Sequence, residues 1–126
     1  MTEVSAGELI DKITILQIKV KRIKDKVKLV NIETEYKVLT ETRDSTINIT
    51  LELQELTQNL SSVNEKLWQI EDDIREFESK KDFGPEFIKL ARSVYLTNDS
   101  RAELKRRINL VLGSKLIEEK SYVVYT

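Results

Sequence analysis

Apolar residues recur along the middle of the chain with a helical period. They are separated by three and four residues in alternation, at Leu53, Leu56, Leu60, Val63, Leu67, Ile70, Ile74 and Phe77. Such a seam is typical of helices that pack lengthwise as coiled coils. It predicts a helix that, if unbroken over residues 49–80, is roughly 45–50 Å long at a rise of about 1.5 Å per residue. Ser62 and Glu65 have the spacing of an internal capping box, so a kink there is the alternative.

Two further helices are predicted before this seam. Ser5 and Glu8 form a capping box at the start of the first helix, which ends near Asp25. Its apolar stripe consists of Leu9, Ile13, Leu16, Val20 and Ile23, and it is widened by Ile10, Ile15 and Ile18. We therefore expect the first helix to contact apolar neighbours on more than one side. The second helix is predicted over residues 27–43, and residues 46–50 have strand propensity without an obvious partner.

Turn signals divide the last third of the chain. Gly84 ends one helix well, and Pro85 suits the first turn of the next. These signals predict a fourth helix over residues 85–96, a turn at residues 98–100 capped by Ser100, and a fifth helix that Gly113 closes. Residues 121–126 are β-prone, and the sequence leaves open whether they form a tail or a docked strand.

The predicted elements form a single all-α domain over residues 1–126. Residues 1–81 are expected to form a long antiparallel helical hairpin, resembling a coiled coil, and residues 82–126 a small C-terminal helical subdomain. Long amphipathic helices in so short a chain expose more apolar surface than one subunit hides. We therefore expect an isologous homodimer that forms a bundle of four or more helices.

Composition excludes several classes of chemistry. The chain has 126 residues with no cysteine and no histidine, so it has no disulfides, thiolate metal sites or histidine-based catalytic sites. No cofactor is expected, and any metal would be a hard cation such as Mg²⁺ held by oxygen ligands. A basic leader and an apolar run long enough for a bilayer are both lacking, so we expect no membrane insertion and a cytoplasmic location.

Charge is unevenly distributed along the first two helices. Residues 12–28 hold seven basic residues and one acidic residue, whereas residues 31–56 hold six acidic and two basic residues. This asymmetry favours an antiparallel pairing of the two helices with complementary flanks. The same basic residues are typical of surfaces that bind nucleic acid or anionic lipid, but we favour the interpretation that they pair with the acidic second helix.

A basic cluster accompanies the predicted start of the fifth helix. It consists of Arg92, Asn98, Asp99, Arg101, Lys105 and Arg106, and the candidate anion-binding residues are Arg92, Asn98, Arg101 and Lys105. Free amides and the dipole at a helix start favour anions, so the cluster is a candidate site for a phosphate or sugar phosphate. The alternative, which we favour, is an internal network in which Asp72 or Asp73 pairs with Arg92 or Arg101.

Two further candidates lie on the long third helix. Asp72, Asp73 and Glu76 share a helix face and would hold Mg²⁺ if carboxylates from another helix faced them, with Glu8 and Asp11 as the obvious second pair. The alternative is a solvated acidic face that Arg75 partly neutralises. Trp68 lies beside the seam, either covered by the C-terminal helices or serving as a ligand platform.

Several longer motifs resemble a known family. They read GELIDKITIL at residues 7–16, LWQIEDDIR at 67–75, DFGPEF at 82–87, LARSVY at 90–95 and KRRIN at 105–109. Together they resemble an uncharacterised family of small helical proteins from bacteria and from phage of aquatic bacteria. The resemblance spans most of the chain and is weakest over residues 40–61. It implies an all-helical fold without an assigned activity, in a family that sometimes accompanies surface-polysaccharide genes.

These observations favour a non-catalytic helical interaction or scaffold protein with an unidentified protein partner. The resemblance adds a role accessory to surface-polysaccharide metabolism. The alternative is a binding protein or Mg²⁺-dependent enzyme acting on a phosphorylated or nucleotide-sugar ligand at the charged cluster. Nucleic-acid binding through the basic first helix ranks last.

Overall fold

A computed structural model of the protein describes residues 5–113, and every element in that range is an α-helix. The helices are α1 (Ala6–Arg22), α2 (Lys26–Thr46), α3 (Leu51–Ser79) and α4 (Pro85–Leu112). The predicted all-α fold is confirmed. The prediction for residues 121–126 concerns a segment outside the described residues.

Helix α3 is the continuous helix that the seam predicts. Thr50 caps its start, because the side chain accepts a hydrogen bond from the Leu53 amide at 3.2 Å. A short connection follows α3, and Pro85 begins α4, which returns antiparallel along α3. Helix α4, which follows residue 81, is therefore the helix against which α3 packs most extensively.

The predicted turn at residues 98–100 and the fifth helix are wrong, because α4 runs unbroken through them. Its inner face repeats every three or four residues, at Phe87, Leu90, Val94, Thr97, Arg101, Leu104, Ile108 and Val111. Two polar residues, Thr97 and Arg101, interrupt the apolar pattern at its centre and conceal the repeat. Packing along α3 outweighs the local turn propensity of residues 98–100, which lie on the exposed side. Gly113 ends α4 with a positive φ of 68°, as predicted.

Helix α1 lies at the centre of the fold and packs against the other three helices. Ile10, Ile13, Leu16 and Ile18 are all buried, so the predicted contacts on more than one side are confirmed. Ile10 joins the core cluster between α3 and α4, whose other members are Leu53, Leu56, Leu60 and Ile108. This arrangement places one polar edge of α1 against the α3–α4 hairpin.

Helix α2 is the outermost element. Asp25 caps it by accepting hydrogen bonds from the amides of Val27 at 3.0 Å and Lys28 at 3.2 Å. It pairs extensively with α1 and contains no buried residue. The following segment, residues 47–50, is an extended link rather than a strand, and Ile47 packs on the core cluster. Most of the surface of α2 therefore faces solvent.

Candidate functional site

A buried carboxylate joins three helices. Asp11 lies on the inner face of α1 with only 1% of its surface exposed. Its Oδ1 accepts hydrogen bonds from Arg101 Nε of α4 at 2.9 Å and from Asn64 Nδ2 of α3 at 2.9 Å. Its Oδ2 accepts a further hydrogen bond from Arg101 Nη2. Because a buried charge is costly unless it is paired and hydrogen-bonded, this arrangement determines how α1 sits on the hairpin.

Thr14 also belongs to the hydrogen-bonded group around Asp11. Its hydroxyl donates to the Asp11 carbonyl at 2.7 Å and accepts from Asn64 Nδ2 at 2.8 Å. Asn64 thus uses both amide hydrogens inside the protein. We call Asp11, Thr14, Asn64 and Arg101 the buried polar cluster.

Electrostatics fix Arg101 in its charged form. The hydrogen bond to Asp11 is the largest influence and raises the pKa of Arg101 above its ordinary value, although burial opposes it. The negative charges of Asp11, Glu8 and Glu71 raise this pKa further. A group with so high a pKa does not exchange protons near neutral pH, so Arg101 is suited to holding Asp11 and not to acid–base chemistry.

A second pair of contacts holds α1 against α4. The Gly7 amide donates to Asn109 Oδ1 at 2.7 Å, and Lys105 Nζ forms an ion pair with Glu8. A Cβ atom on Gly7 would lie 2.6 Å from the carbonyl oxygen of Lys105, closer than real Cβ atoms approach. The absence of a side chain at Gly7 is therefore what lets the two helix backbones meet.

The predicted anion-binding residues are separated. Arg101 and Lys105 face Asp11 and Glu8, whereas Arg92 lines the outward face of α4 and Asn98 is exposed. Since α4 continues through Ser100, the helix start on which the anion site was predicted is missing. The favoured alternative named the wrong acids: Arg101 pairs with Asp11, not with Asp72 or Asp73.

The predicted metal residues each have a partner within four residues along the chain. Asp72 pairs with Arg75 at 3.1 Å, Asp73 accepts a hydrogen bond from Gln69 at 3.0 Å, and Glu76 pairs with Lys80 at 3.1 Å. Within residues 5–113, the structure contains no group of three acidic side chains placed to share a metal ion. The Mg²⁺ site stays a prediction that no second set of carboxylates supports.

Trp68 contacts the end of α1. The guanidinium carbon of Arg22 lies 5.8 Å from its ring centroid, within range of a cation–π interaction. Arg22 also pairs with Glu65 at 2.9 Å. The cation above the ring is thus contributed by α1, and cover of Trp68 by the C-terminal helices stays a prediction. The ligand platform at Trp68 stays a prediction.

Sequence reasoning missed Asp11 as the centre of this arrangement, although a signal was present. Gly7, Asp11, Thr14 and Ile18 are spaced by four, three and four residues, which places them on one face of α1. A carboxylate on a face that also carries buried isoleucine requires a cationic partner. Asn64 and Asn109 gave no comparable signal, because isolated asparagines on a helix are usually solvated.

Two apolar stripes remain exposed on the outer helices. The α4 stripe forms a shallow groove along the side facing away from α3, lined by Pro85, Ile88, Lys89, Arg92, Ser93 and Leu96. Ile88 and Leu96 are each 55% exposed. The α2 stripe consists of Val27, Val30 and Val38, which are 74%, 62% and 55% exposed. Outward faces of surface helices are ordinarily polar, so these stripes are candidate interaction surfaces.

The comparisons with known proteins assign no activity to the chain. None of the described helices is both long and apolar enough to cross a bilayer. Searches of curated proteins and of solved structures gave no match. The model of one protein family, described as a family of unknown function (DUF6165), matches residues 1–125. Because the match covers nearly the whole chain, the protein belongs to this DUF6165 family.

Proposed function

We propose that the protein is a non-catalytic helical interaction module whose α4 stripe binds an amphipathic helix of another protein chain. The observation that carries this proposal is the exposed apolar line through Ile88 and Leu96. Lys89 borders that line, Arg92 lies on it between the two apolar residues, and neither cation has an ion-pair partner within the described part of the chain. An apolar surface that includes two such cations suits a helix whose apolar stripe is accompanied by acidic residues.

The buried polar cluster supports this function by making the surface rigid. Asp11 and Arg101 link α1 to α4, and Asn64 links it to α3. A helix held in place by directional bonds presents its outer face in one position before binding. Pre-organisation of this kind lowers the entropy that association costs. The charges of the cluster are used internally, which suits a structural role better than a catalytic one.

A ligand-binding function is the second candidate. Lys12 and Lys19 line the same groove as Arg101, and these cations suit a phosphorylated or nucleotide-sugar ligand. Glu35 lines this groove too, as do Glu8 and Asp11, so its charges are balanced and a phosphate gains little. A rise in melting temperature with nucleotide sugars and Mg²⁺, lost in a Lys12→Ala/Lys19→Ala variant, would favour this candidate.

Site-specific photo-cross-linking in cells that express the protein tests whether another protein chain binds the α4 stripe. A benzophenone amino acid replaces Leu96 and, as a matched control, Leu110, which is 64% exposed on the same helix. We expect a cross-link to one protein chain from position 96, none from position 110, and loss of the product with Ile88→Glu. Absence of any cross-link from position 96 in the folded protein would overturn the proposal. Mass spectrometry of the product identifies the second chain.

A further inference from the structure

We propose that the turn between α1 and α2 is a docking surface for bilayers that contain anionic phospholipids. This turn, residues 19–28, is called the basic tip. It holds one acid and six cations, which are Lys19, Lys21, Arg22, Lys24, Lys26 and Lys28. Binding of this kind is peripheral and needs no helix that crosses the bilayer. The basic tip shares no residue with the α4 stripe, so this inference does not depend on the proposed function.

The positive charge of the basic tip is not neutralised inside the protein. Within the described residues, no ion pair joins α1 to α2, so the acids of α2 do not pair with these cations. Arg22 pairs with Glu65 of α3, whereas none of the ion pairs includes the five lysines. The single acid, Asp25, caps α2 by accepting from the amides of Val27 and Lys28. Five lysine charges therefore remain available to an anionic partner.

Exposed aliphatic side chains lie among these lysines. Val27 is 74% exposed and Val30 is 62% exposed. Val27 stands between Lys26 and Lys28 in the sequence, and Val30 follows one turn further along on the same side of α2. Lysines beside exposed apolar side chains are typical of helices at a bilayer interface, where the cations meet anionic headgroups and the apolar groups reach the acyl boundary. The composition of the basic tip therefore suits such an interface.

Nucleic acid also presents phosphates, but the basic tip lacks the groups that bind bases. Residues 19–28 contain no aromatic side chain on which a base would stack. The guanidinium of Arg22 is already engaged, because it pairs with Glu65 and lies 5.8 Å from the ring centroid of Trp68. A sugar-phosphate backbone offers little apolar surface to Val27, whereas a bilayer offers an extensive one. These observations favour the bilayer over nucleic acid.

Vesicle flotation measures this binding with the purified full-length protein. We expect binding to vesicles of phosphatidylcholine and phosphatidylglycerol in equal amounts, and none to vesicles of phosphatidylcholine alone. High salt should release the protein, because screening shortens the reach of the lysine charges. Absence of binding to the anionic vesicles at low salt would overturn the proposal. Binding to duplex DNA or RNA without binding to vesicles would overturn it as well and assign the basic tip to nucleic acid.

Lys24→Gln/Lys26→Gln tests the electrostatic part of the binding. Each lysine near an anionic surface contributes about fivefold in affinity, so this variant should bind the vesicles about twentyfold more weakly. Lys80→Gln/Lys81→Gln is the matched control, because it removes the same charge at the connection between α3 and α4. The control should change binding by less than about threefold. Equal losses in two folded variants would show that the net charge of the protein determines binding, and would overturn the assignment to the basic tip.

Val27→Ser tests the apolar part and leaves every charge in place. We expect it to weaken vesicle binding by about threefold or more, because part of the buried aliphatic surface is lost. Val38→Ser is the control on the same helix. Val38 lies beyond Glu33 and Glu35, which an anionic surface repels, so this variant should bind as the unaltered protein does. Equal binding by a folded Val27→Ser variant would overturn the apolar contact with the bilayer.

A fluorescent label reports which part of the protein meets the bilayer. The chain has no cysteine of its own, so an environment-sensitive fluorophore attaches only at Val27→Cys or, in a second sample, at Val38→Cys. Anionic vesicles should shift the emission to shorter wavelength at position 27 and leave it unchanged at position 38. A shift at position 38 alone would place another surface on the bilayer and overturn the proposal.

Discussion

The carboxylate of Asp11 holds the guanidinium of Arg101, a residue ninety positions further along the chain. The same carboxylate accepts a hydrogen bond from Asn64, fifty-three positions away. Three helices far apart in sequence therefore share one charged group in the interior. Apolar packing alone tolerates small rotations of a helix, whereas these directional bonds define a single orientation of α1 on the hairpin.

Removing the charge of Asp11 should be strongly destabilising. In Asp11→Asn the half-buried Arg101 guanidinium loses its counter-ion, and we expect a loss of about 2 kcal/mol in the free energy of unfolding. Urea denaturation followed by circular dichroism measures it. Asp72→Asn removes an exposed pair with Arg75 and should change stability by less than about 0.5 kcal/mol. Similar values for the two variants would contradict a structural role for Asp11.

A double substitution separates the effect of losing the Asp11–Arg101 ion pair from the effect of leaving one of its charges unpaired in the interior. Asp11→Leu together with Arg101→Met removes both charges, keeps the branching of the side chain at position 11 and keeps a long side chain at position 101. Since replacing a buried ion pair with apolar groups is often neutral, the double variant should be more stable than Asp11→Asn. Full recovery is not expected, because Asn64 Nδ2 loses one of its two acceptors. A double variant no more stable than Asp11→Asn would show that volume, and not charge, controls the site.

Gly7→Ala tests the close approach of α1 to α4. The added Cβ would lie 2.6 Å from a backbone oxygen of Lys105, so one helix must move. We expect a destabilisation of about 2 kcal/mol, although alanine favours helices more than glycine does. Gly84→Ala is the control, because its Cβ meets a side-chain oxygen of Asp82 at 3.3 Å and its φ is −75°. Thermal unfolding should rank the control close to the unaltered protein.

The sequence predicted the fold best where local and tertiary preferences agree. Helix α3 carries an apolar residue at nearly every inner position, so its period is readable without knowing its neighbours. In α4 the same period passes through Thr97 and Arg101, and the turn-forming residues 98–100 lie beside them. Local signals there favour a turn, whereas packing on α3 favours a helix. The helix forms because the inner face of α4 packs on α3 both before and after residues 98–100.

The partner of Arg101 was harder to predict than its role. Sequence reasoning expected an internal ion pair but chose Asp72 or Asp73, which are nearer in the chain and lie in a denser acidic run. Which acid meets Arg101 depends on the angle at which α1 crosses the hairpin. That angle is set by the contact at Gly7 and by the burial of Ile10, so it is a property of the assembled helices and not of any one segment.

Glu103 should titrate at a lower pH than an ordinary glutamate. Its hydrogen bond with Arg106, followed by that with Arg107, lowers the pKa of Glu103 from 4.5 to about 2. A carboxylate with a lowered pKa in the folded state stabilises the protein above its unfolded pKa, and this contribution is lost as pH falls from about 4.5 to about 2. Carbon-13 NMR of the carboxyl group measures the midpoint directly. A midpoint near 4.5 would contradict the ion pairs.

The ion pairs of Glu103 should contribute little to the free energy of unfolding, although they lower its pKa strongly. Glu103 and its partners lie on the surface of one helix, where solvent screens them, so the effect is below about 1 kcal/mol. Glu103→Gln should lower stability at pH 7 by less than about 1 kcal/mol, change it least at pH 2, and so flatten the pH dependence of unfolding between pH 4.5 and 2. A large loss at pH 7 would indicate a further structural role for Glu103.

Hydrogen exchange should distinguish α2 from the other three helices. Opening α2 exposes little apolar surface, because the helix has no buried residue, so its amides should exchange fastest among the four helices. The α1 amides beside Asp11 should exchange slowly, because Asp11 is hydrogen-bonded to both α3 and α4. Exchange followed by mass spectrometry measures the protection of each helix. Equal protection of α1 and α2 would contradict the outer position of α2, because a helix without buried residues opens without disturbing the core.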